Sequence, residues 1–366
     1  FYYFVHKEGE HTLVVGDSPS SYFGKGAKVR YEYSYAAEPK GDSITDWVHQ
    51  YQFIPGQYAL TDYNFKKHPA AAEKQPAKHL LGSTPNEPNP DIFKPDPYEI
   101  FDYPGEYEEK DEAEAYSRLY MQEEEAAYDV VSGSSYFEYL NPGGKFKLVE
   151  HPVDAENAEY VITSIQHAAA DSPGGRGPGQ TYTNTFTCIP SSVPFRPARS
   201  TRKPAIQGVQ TAVVVGPGGS EIYTDEFGRI KVQFYWDRYN VRMQSGGDAA
   251  KQAEPVWIRV AQTIAGKKWG AMFIPRVGQE VVVTFEEGDP DRPLVTGVVY
   301  NGDQLPPYDP KTDATRSYIK TSSSPGGEGY NELQFEDKKG QEMLFLHAQR
   351  NMDVRVRAQS MEIIGA

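Results

Sequence analysis

Residues 331–358 read NELQFEDKKGQEMLFLHAQRNMDVRVRA, and their pattern of apolar and polar side chains decides the fold. Leu333 and Phe335 alternate with polar residues, and Val354 and Val356 do the same further on. The residues DKKG at 337–340 are a turn signal, so the stretch is predicted to form short strands. A few strands alone are marginal in water, so their apolar rows need a partner from earlier in the chain or from another chain.

The composition of the whole chain favours many short strands over long helices. Its 366 residues are enough for two or three domains, and they include 33 Gly, 28 Pro and 26 Tyr. The 37 basic and 51 acidic residues give a net charge of −14, which repels a phosphate backbone. Nucleic acid is therefore not expected as a partner. No apolar run in the sequence approaches the roughly 18–20 residues that span a bilayer.

Cys188 is the only cysteine, so the sequence excludes an internal disulfide and a Cys-rich zinc site. A single cysteine suits folding in a reducing cytoplasm. The sequence shows no signal peptide, and it opens without Met on FYYFV, which reads as a strand already under way. We therefore expect that part of the first domain precedes Phe1.

The first 204 residues are predicted to be mostly short strands. A hairpin is expected within 1–36 with its turn at Lys7–Glu10, and strand-like pieces continue over 41–68 around Pro55-Gly56. Residues 70–97 lack periodicity and are predicted to form a long loop. Further strands are predicted at 136–140 (YFEYL), 145–149 (KFKLV), 160–169 (YVITSIQHAA) and 181–190 (TYTNTFTCIP).

One helix and two irregular segments are also predicted in this region. Within 106–129, Ala113, Tyr116 and Tyr120 recur at helical spacing while acidic residues occupy the other faces, as in an amphipathic surface helix. By composition, 171–180 is a flexible loop and 191–204 is a basic, Pro-rich linker that closes the region.

Residues 205–302 are predicted to form a compact all-β domain. Its five strands are expected near 209–215, 229–236, 256–260, 280–286 and 294–300. This number suits a small closed barrel such as an OB-fold, although an SH3-like barrel or a small sandwich would give a similar pattern. Three tryptophans are expected to pack in or against it, namely Trp236, Trp257 and Trp269. Its core is assigned to Val232, Phe234, Trp257, Ile258, Val282 and Val295.

Two motifs that suggest a ligand are better explained as turns. VVVGPGGSEIY at 213–223 resembles a phosphate-binding loop, but it lacks the Gly-Lys-Ser/Thr ending and a following helix. EEGDPDRP at 286–293 gathers carboxylates, but it lacks the ligand alternation and the closing Glu of a calcium loop. A hairpin turn and a Pro-fixed turn are predicted instead.

No catalytic, cofactor-binding or metal-binding residue is assigned, and the chain is predicted not to be an enzyme. The histidines show no HExxH motif and no close pair, so they are interpreted as single surface residues. They are His6, His11, His49, His68, His79, His151, His167 and His347. No G-x-S-x-G motif occurs, although a Ser/His/Asp triad assembled from distant residues stays open.

One binding alternative rests on aromatic and basic residues that lie close together in the sequence. An OB-type barrel binds single strands where aromatic side chains line a basic groove. The residues that suit this role are Tyr235, Trp236, Arg238, Tyr239 and Arg242. The net charge of −14 argues against it.

The residues from 205 to 358 resemble the VgrG family, the spike proteins of bacterial type VI secretion systems, which are related to hub and spike proteins of contractile phage tails. The resemblance runs through VQTAVVVGPGGSEIYTDEFGRIKVQFYWDR, VWIRVAQTIAGKKWGAMFIPRVGQEVVVTFEEGDPDRPLVTGVVYN and SSPGGEGYNELQFEDKKGQEMLFLHAQRNMDVRV. Upstream, YEIFDYPGEY and CIPSSVPFRPAR also resemble the hub region of that family.

This resemblance implies a homotrimer without cofactors. It implies a barrel-like hub region at 1–204, an OB-fold barrel at 205–302, a neck at 303–330 and the start of a triple-stranded β-helix needle at 331–366. Six apolar residues would face the two other copies, namely Leu333, Phe335, Leu344, Leu346, Val354 and Val356. Arg355, Arg357 and Gln359 would face water.

The resemblance also implies partners and a location. The hub end would seat on the secretion tube, and the needle end would carry a tip-sharpening cap protein or an effector through a target membrane. The protein would assemble in the bacterial cytoplasm and then be secreted into the medium or a target cell. The alternatives are a phage-tail or bacteriocin spike of the same build, a cell-wall hydrolase and a single-strand-binding module.

Overall fold

The computed structural model describes residues 1–32, 42–67, 78–83, 98–170, 181–237 and 256–365. They belong to two compact units, Phe1–Ser200 and Thr201–Ala366. The flexible loop predicted at 171–180 and most of the loop predicted at 70–97 lie outside the described residues. The described residues are mainly strands that form two closed barrels, so the mainly β fold class is confirmed.

The described part of the first unit combines strands with one α-helix. The strands are β1 Tyr2–Lys7, β2 Glu10–Val15, β3 Phe23–Tyr31, β4 Ser43–Tyr51, β5 Gln57–Tyr63, β6 Lys78–Ser83, β7 Glu99–Asp102, β8 Asp129–Ser135, β9 Gly144–Val149, β10 Glu159–Ala170 and β11 Thr181–Pro190. The helix is α1 Lys110–Tyr128. The hairpin predicted around Lys7–Glu10 is confirmed as β1–β2.

Six strands of this unit close a barrel in the order β10-β11-β8-β4-β3-β9. Because successive side chains of a strand point to opposite faces, every second residue faces the interior. The buried cluster inside includes Ile44, Val131, Phe146 and Ile162. Gly133 lets the barrel close at one point, because a Cβ atom there would lie 2.6 Å from the ring of Phe186.

The helix α1 packs with the small sheet β6-β5-β7. Ala113 is fully buried, and Tyr116 and Tyr120 pack against the same apolar cluster, as the helical spacing predicts. The amphipathic helix predicted over 106–129 is therefore confirmed, but it begins at Lys110. Glu106 has a φ of 57°, which lies outside the right-handed helical region.

Two predictions in this unit are wrong. YFEYL at 136–140 is not a strand, because β8 ends at Ser135. There the Asn184 side chain donates a hydrogen bond to the Phe137 carbonyl at 2.9 Å, and the backbone N–H of Phe137 donates to the Ser135 hydroxyl at 3.3 Å. Side chains thus bind the backbone groups that a longer strand would need. The loop predicted at 70–97 contains β6, which pairs with β5.

The segment predicted as a linker at 191–204 begins as a packed part of the first unit. The Tyr22 hydroxyl donates to the Val193 carbonyl at 2.9 Å. Arg199 lies 3.6 Å from the ring centre of Tyr120, and its Nε lies 2.6 Å from a carboxylate oxygen of Glu123. These contacts fix residues 193–199 onto the barrel and the helix.

The described part of the second unit contains a second barrel, a short ribbon and a three-stranded sheet. Its strands are β12 Gln210–Val215, β13 Ile230–Phe234, β14 Trp257–Val260, β15 Ala265–Gly266, β16 Trp269–Gly270, β17 Glu280–Phe285, β18 Pro293–Val299, β19 Arg316–Lys320, β20 Glu332–Glu336 and β21 Met343–His347. The barrel order is β12-β13-β14-β18-β17. These are the five strands that the sequence predicts, and they close as a barrel.

The core of this barrel contains part of the predicted set. Val232, Ile258 and Val295 are buried in it, and Phe234 packs against it. The other buried members are Ala212, Val214, Ile230, Val281 and Val283.

Two residues assigned to this core lie on the other face of their strands. Val281 and Val283 point inward, so Val282 between them points outward. Trp257 precedes the buried Ile258, and its ring lies 4.9 Å from the ring of Tyr223. The core assignment of Val282 and Trp257 is therefore corrected.

Candidate functional site

The sheet β19-β20-β21 carries an apolar face that the strand register brings together. Ile319 pairs with Leu333, and Leu333 pairs with Leu346 on the next strand. Phe335 pairs with Leu344 one step along the same face. We call Ile319, Leu333, Phe335, Leu344 and Leu346 the apolar row. Cross-strand neighbours on one face are in contact distance, so the row is one continuous surface.

The opposite face of the sheet is mainly polar, and its centre, at Glu332 and Gln334, is buried by the chain itself. The Tyr308 hydroxyl donates to one carboxylate oxygen of Glu332 at 2.7 Å, and the Lys320 amino group lies 3.5 Å from the other oxygen. The Arg316 guanidinium lies 4.6 Å from the ring centre of Tyr308. Burial and the hydrogen bond to Glu332 raise the pKa of Tyr308. Glu332 is only 3% exposed, and a polar group buried to this extent needs hydrogen-bond partners of this kind.

The apolar row, by contrast, is uncovered in the single chain. Leu344 is 67% exposed, Leu346 57%, Ile319 52% and Phe335 45%, while Leu333 is half-buried. A lone sheet in water would place its apolar face inward and its polar face outward. This chain buries the polar face and exposes the apolar one, which is typical of a surface that another chain covers.

The last residues of the chain extend the exposed apolar surface. Val354 is 73% exposed and Val356 is 51% exposed. Residues 351–365 have no regular secondary structure, so the strand predicted there is not formed within a single chain. A strand needs a neighbour for its backbone hydrogen bonds, and the described part of this chain provides none for these residues.

A cluster of charged side chains lies around His49 in the first unit. Its Nε2 lies 2.5 Å from an Asp129 carboxylate oxygen, and its Nδ1 lies 2.9 Å from Glu156. Trp47 donates to the same Glu156 carboxylate at 2.8 Å. Burial alone would lower the pKa of His49, but the hydrogen bonds and charges of the two carboxylates outweigh it and raise that pKa. His49 is therefore not the single surface residue that the sequence predicts; it ties β4 to the start of β8 and to residue 156.

The two turn motifs behave as the sequence predicts. No helix follows β12, and the chain turns at 217–219 before β13 begins at Ile230. In the acidic motif, Asp289 accepts hydrogen bonds from Lys203 and from the backbone N–H of Asp291, both at 2.9 Å. These bonds shape the turn.

The aromatic residues proposed for single-strand binding are only partly described. The ring of Trp236 stacks 5.3 Å from that of Phe234, and its Nε1 donates to Gln210 at 2.9 Å. Tyr235 is exposed. The basic residues Arg238 and Arg242, with Tyr239, lie outside the described residues. Trp269, in the β15–β16 ribbon, is exposed rather than packed into the barrel.

The described residues contain neither a cluster of metal-ligating side chains nor a helix that could span a membrane. No group of three or more His, Cys, Asp and Glu side chains in these ranges is placed to hold a metal ion. No described helix is long and apolar enough to cross a bilayer.

Three protein-family models match this chain, one after another. Residues 1–173 match the phage tail baseplate hub (GPD), and 223–300 match the type VI secretion system/phage-baseplate injector OB domain. Residues 317–366 match the C-terminal trimerisation domain of bacteriophage T4 gp5. The last match contains the whole apolar row and both exposed valines.

Curated relatives extend the similarity over the whole chain. The type VI secretion system spike protein VgrG1b of Pseudomonas aeruginosa is 37% identical over 379 residues, which covers 100% of this chain and 48% of the relative. The actin cross-linking toxin VgrG1 of Vibrio cholerae is 36% identical, and the aligned region covers 96% of this chain and 31% of the toxin. The chain thus spans about half the length of VgrG1b and about a third of the toxin.

Solved structures are more distant. A type VI secretion component of Escherichia coli aligns with a TM-score of 0.45 at 17% identity, over 81% of this chain and 56% of that one.

Proposed function

The chain belongs to the VgrG family of type VI secretion spike proteins, and we propose that it acts as one of three identical subunits of a non-enzymatic spike. The observation that carries the proposal is the apolar row, because it is exposed in the single chain although the polar face of the same sheet is covered. The match of 317–366 to a trimerisation domain supports three copies as the assembly that covers the row.

In this assembly, β19, β20 and β21 of each copy place the apolar row toward the other two. The proposed packing residues are the members of the row together with Val354 and Val356. Each copy lacks a core in this region, and three copies make one. Residues 351–365 would also gain the backbone partners that they lack alone. Closing strands around an axis removes the free sheet edges at which strands otherwise aggregate.

The proposed mechanical role follows from this architecture. A tip that is driven through a membrane must be stiff and must not unfold under load. In an intertwined three-stranded prism, no strand can leave without unwinding the other two, so a large part of the apolar core must be exposed before the structure gives way. Slow unfolding of this kind is kinetic stability, and it depends on the barrier rather than on the equilibrium alone.

We assign the remaining parts of the chain to the two ends of the proposed spike and to the connection between them. The hub region, proposed as 1–204, would seat on the secretion tube, and its match to a phage baseplate hub supports this orientation. The OB barrel, proposed as 205–302, and the neck, 303–330, would connect it to the needle at 331–366. We further propose that the needle end carries a cap protein or an effector, and that the spike assembles in the bacterial cytoplasm before it is secreted.

Secretion tests the proposal in the bacterium that encodes the chain. Deleting its gene, together with any other spike gene of the same cell, should abolish release of the tube protein into the medium. The wild-type gene should restore release. The same gene with Leu344→Ser and Leu346→Ser should fail, while Met343→Ser on the polar face should restore it. Normal release without the gene, or full rescue by the double variant, would refute the proposal.

A further inference from the structure

The hairpin β1–β2 brings together two histidines, so the prediction of single surface histidines is wrong for this pair. The strands are antiparallel and joined by a two-residue turn, Glu8-Gly9, in which Gly9 has a φ of 73°. His6 lies directly opposite His11 in the register. Their Nδ1 atoms are 2.7 Å apart, and both side chains are exposed to solvent.

The position of the pair in the hairpin explains why the two rings meet. The residues that close a two-residue hairpin turn, here Lys7 and Glu10, form a hydrogen-bonded pair. The next pair outward in an antiparallel ladder is of the non-hydrogen-bonded kind, in which the side chains come closest. The two ring centroids are 5.0 Å apart. The backbone of the hairpin therefore places both imidazoles close enough to bind the same ion.

The neighbouring residues on the same face restrict how the rings turn. The ring of Phe4 is stacked with that of His6, with centroids 6.0 Å apart and planes 17° from parallel. Tyr2 in turn contacts Phe4 edge-on at 6.0 Å. A side chain that is held in place loses less entropy when it binds a ligand, so this row of rings favours binding by His6.

The chemistry of two adjacent imidazoles points to a metal ion. Imidazole nitrogen is a preferred ligand of Zn²⁺, Cu²⁺ and Ni²⁺, with metal–nitrogen distances of about 2.0–2.1 Å for zinc. Two such bonds at a tetrahedral ion place the two nitrogens about 3.3 Å apart. The two Nδ1 atoms are 2.7 Å apart here, so a small rotation of either ring would bring them to the distance that the ion requires. The net charge of −14 also raises the local concentration of cations.

We propose that His6 and His11 form a surface binding site for a divalent transition-metal ion, with zinc as the test ion and water in the remaining positions. The bound ion joins the two strands next to the turn and so stabilises the hairpin. This site is independent of the apolar row, and its presence or absence does not depend on the spike function.

Isothermal titration with Zn²⁺ tests the site. The protein must carry no histidine tag, and the pH must be about 7.5, because protons compete with the metal ion for imidazole nitrogens. One zinc ion per chain should bind to the wild type. His6→Asn and His11→Asn should each weaken that binding by about tenfold or more, because a single imidazole has no second ligand held at high effective concentration.

His167→Asn is the matched control. His167 is also an exposed strand histidine, but its register partner on β11 is Asn184 rather than a histidine. Its replacement should leave zinc binding unchanged. Unchanged binding in both hairpin variants, loss of binding in the control, or no binding in the wild type would each overturn the proposal.

A spectroscopic measurement gives a readout that depends on ligand number. With Cu²⁺ in place of zinc, electron paramagnetic resonance should report two equatorial imidazole nitrogens in the wild type and one fewer in each hairpin variant. His6 and His11 are exposed, so the variants should keep the circular dichroism of the wild type. Two imidazoles in a hairpin variant would show that the ion binds elsewhere and would refute the site.

Discussion

Replacing Leu344 with Ser should weaken the trimer strongly, because the change removes an apolar side chain from the surface that the other copies cover. Burying a leucine completely stabilises a structure by about 1.5–3 kcal/mol. Leu344 is 67% exposed in the single chain, so the part still to be buried is worth about two-thirds of this, or about 1–2 kcal/mol per copy.

Each trimer contains the substitution three times, so the association free energy should fall by about 3–6 kcal/mol. Since about 1.4 kcal/mol is a factor of ten, the association constant should fall by about 10²–10⁴-fold. The serine hydroxyl, buried without a partner, would add to this loss. Sedimentation velocity over a wide range of protein concentrations measures the shift from trimer to monomer.

Met343→Ser is the control for this experiment. Met343 is also exposed and lies on the same strand, but it pairs with Glu336 on the polar face. Its replacement should change the association constant far less than Leu344→Ser. The apolar row would not be the trimer surface if the two variants associated equally well, or if Leu344→Ser behaved like the wild type.

Three further predictions concern the stability of the single chain. Val281→Ala should destabilise the OB barrel by about 1–3 kcal/mol in urea unfolding, because it leaves a cavity in the core. Val282→Ala on the outer face should lower the free energy of unfolding clearly less. Equal losses of stability would refute the assignment of the two faces. The folded-state pKa of His49 is raised, so its ion pairs should stabilise the first unit fully below the unfolded pKa of about 6.5 and lose this effect as the pH rises through the folded value. The stability difference between wild type and His49→Gln should therefore be larger at pH about 6 than at pH about 9, and a difference independent of pH would contradict this. Tyr308→Phe removes a hydrogen bond from the buried Glu332 and should destabilise the three-stranded sheet by about 1–3 kcal/mol, seen as faster amide exchange in β20; unchanged exchange would show that the bond contributes nothing.

The five strands of the second barrel, and β9, β10 and β11 of the first, could be predicted because their apolar residues have a clear period. The strand β8, Asp129–Ser135, is not among the predicted strands. The limits appear where that period is ambiguous. Residues 281–283 are three consecutive valines, so alternation alone does not say which of them point inward, and the prediction that Val282 lies in the core is wrong. The predicted packing residues do not include Ile319, because its neighbour Tyr318 is also large and the sequence before it shows no alternation of apolar and polar residues.

Long-range contacts between polar residues could not be predicted from one sequence. His49 meets Asp129 and Glu156, which lie 80 and 107 residues away, and only the barrel brings them together. The end of β8 depends in the same way on Asn184, which lies 49 residues from Ser135. By contrast, His6 and His11 are five residues apart on either side of a predicted turn. Their pairing could have been found from the hairpin register alone.

The mass of the chain in solution tests the proposed trimer most directly. Size exclusion with light scattering should give a species of about 123 kDa, three times the 41.0 kDa of one chain. The measured mass should fall toward that of one chain when the residues of the apolar row are each replaced by serine. A homogeneous species of 41.0 kDa at every concentration would contradict the trimer. It would also mean that the exposed apolar row is not covered by other copies of this chain.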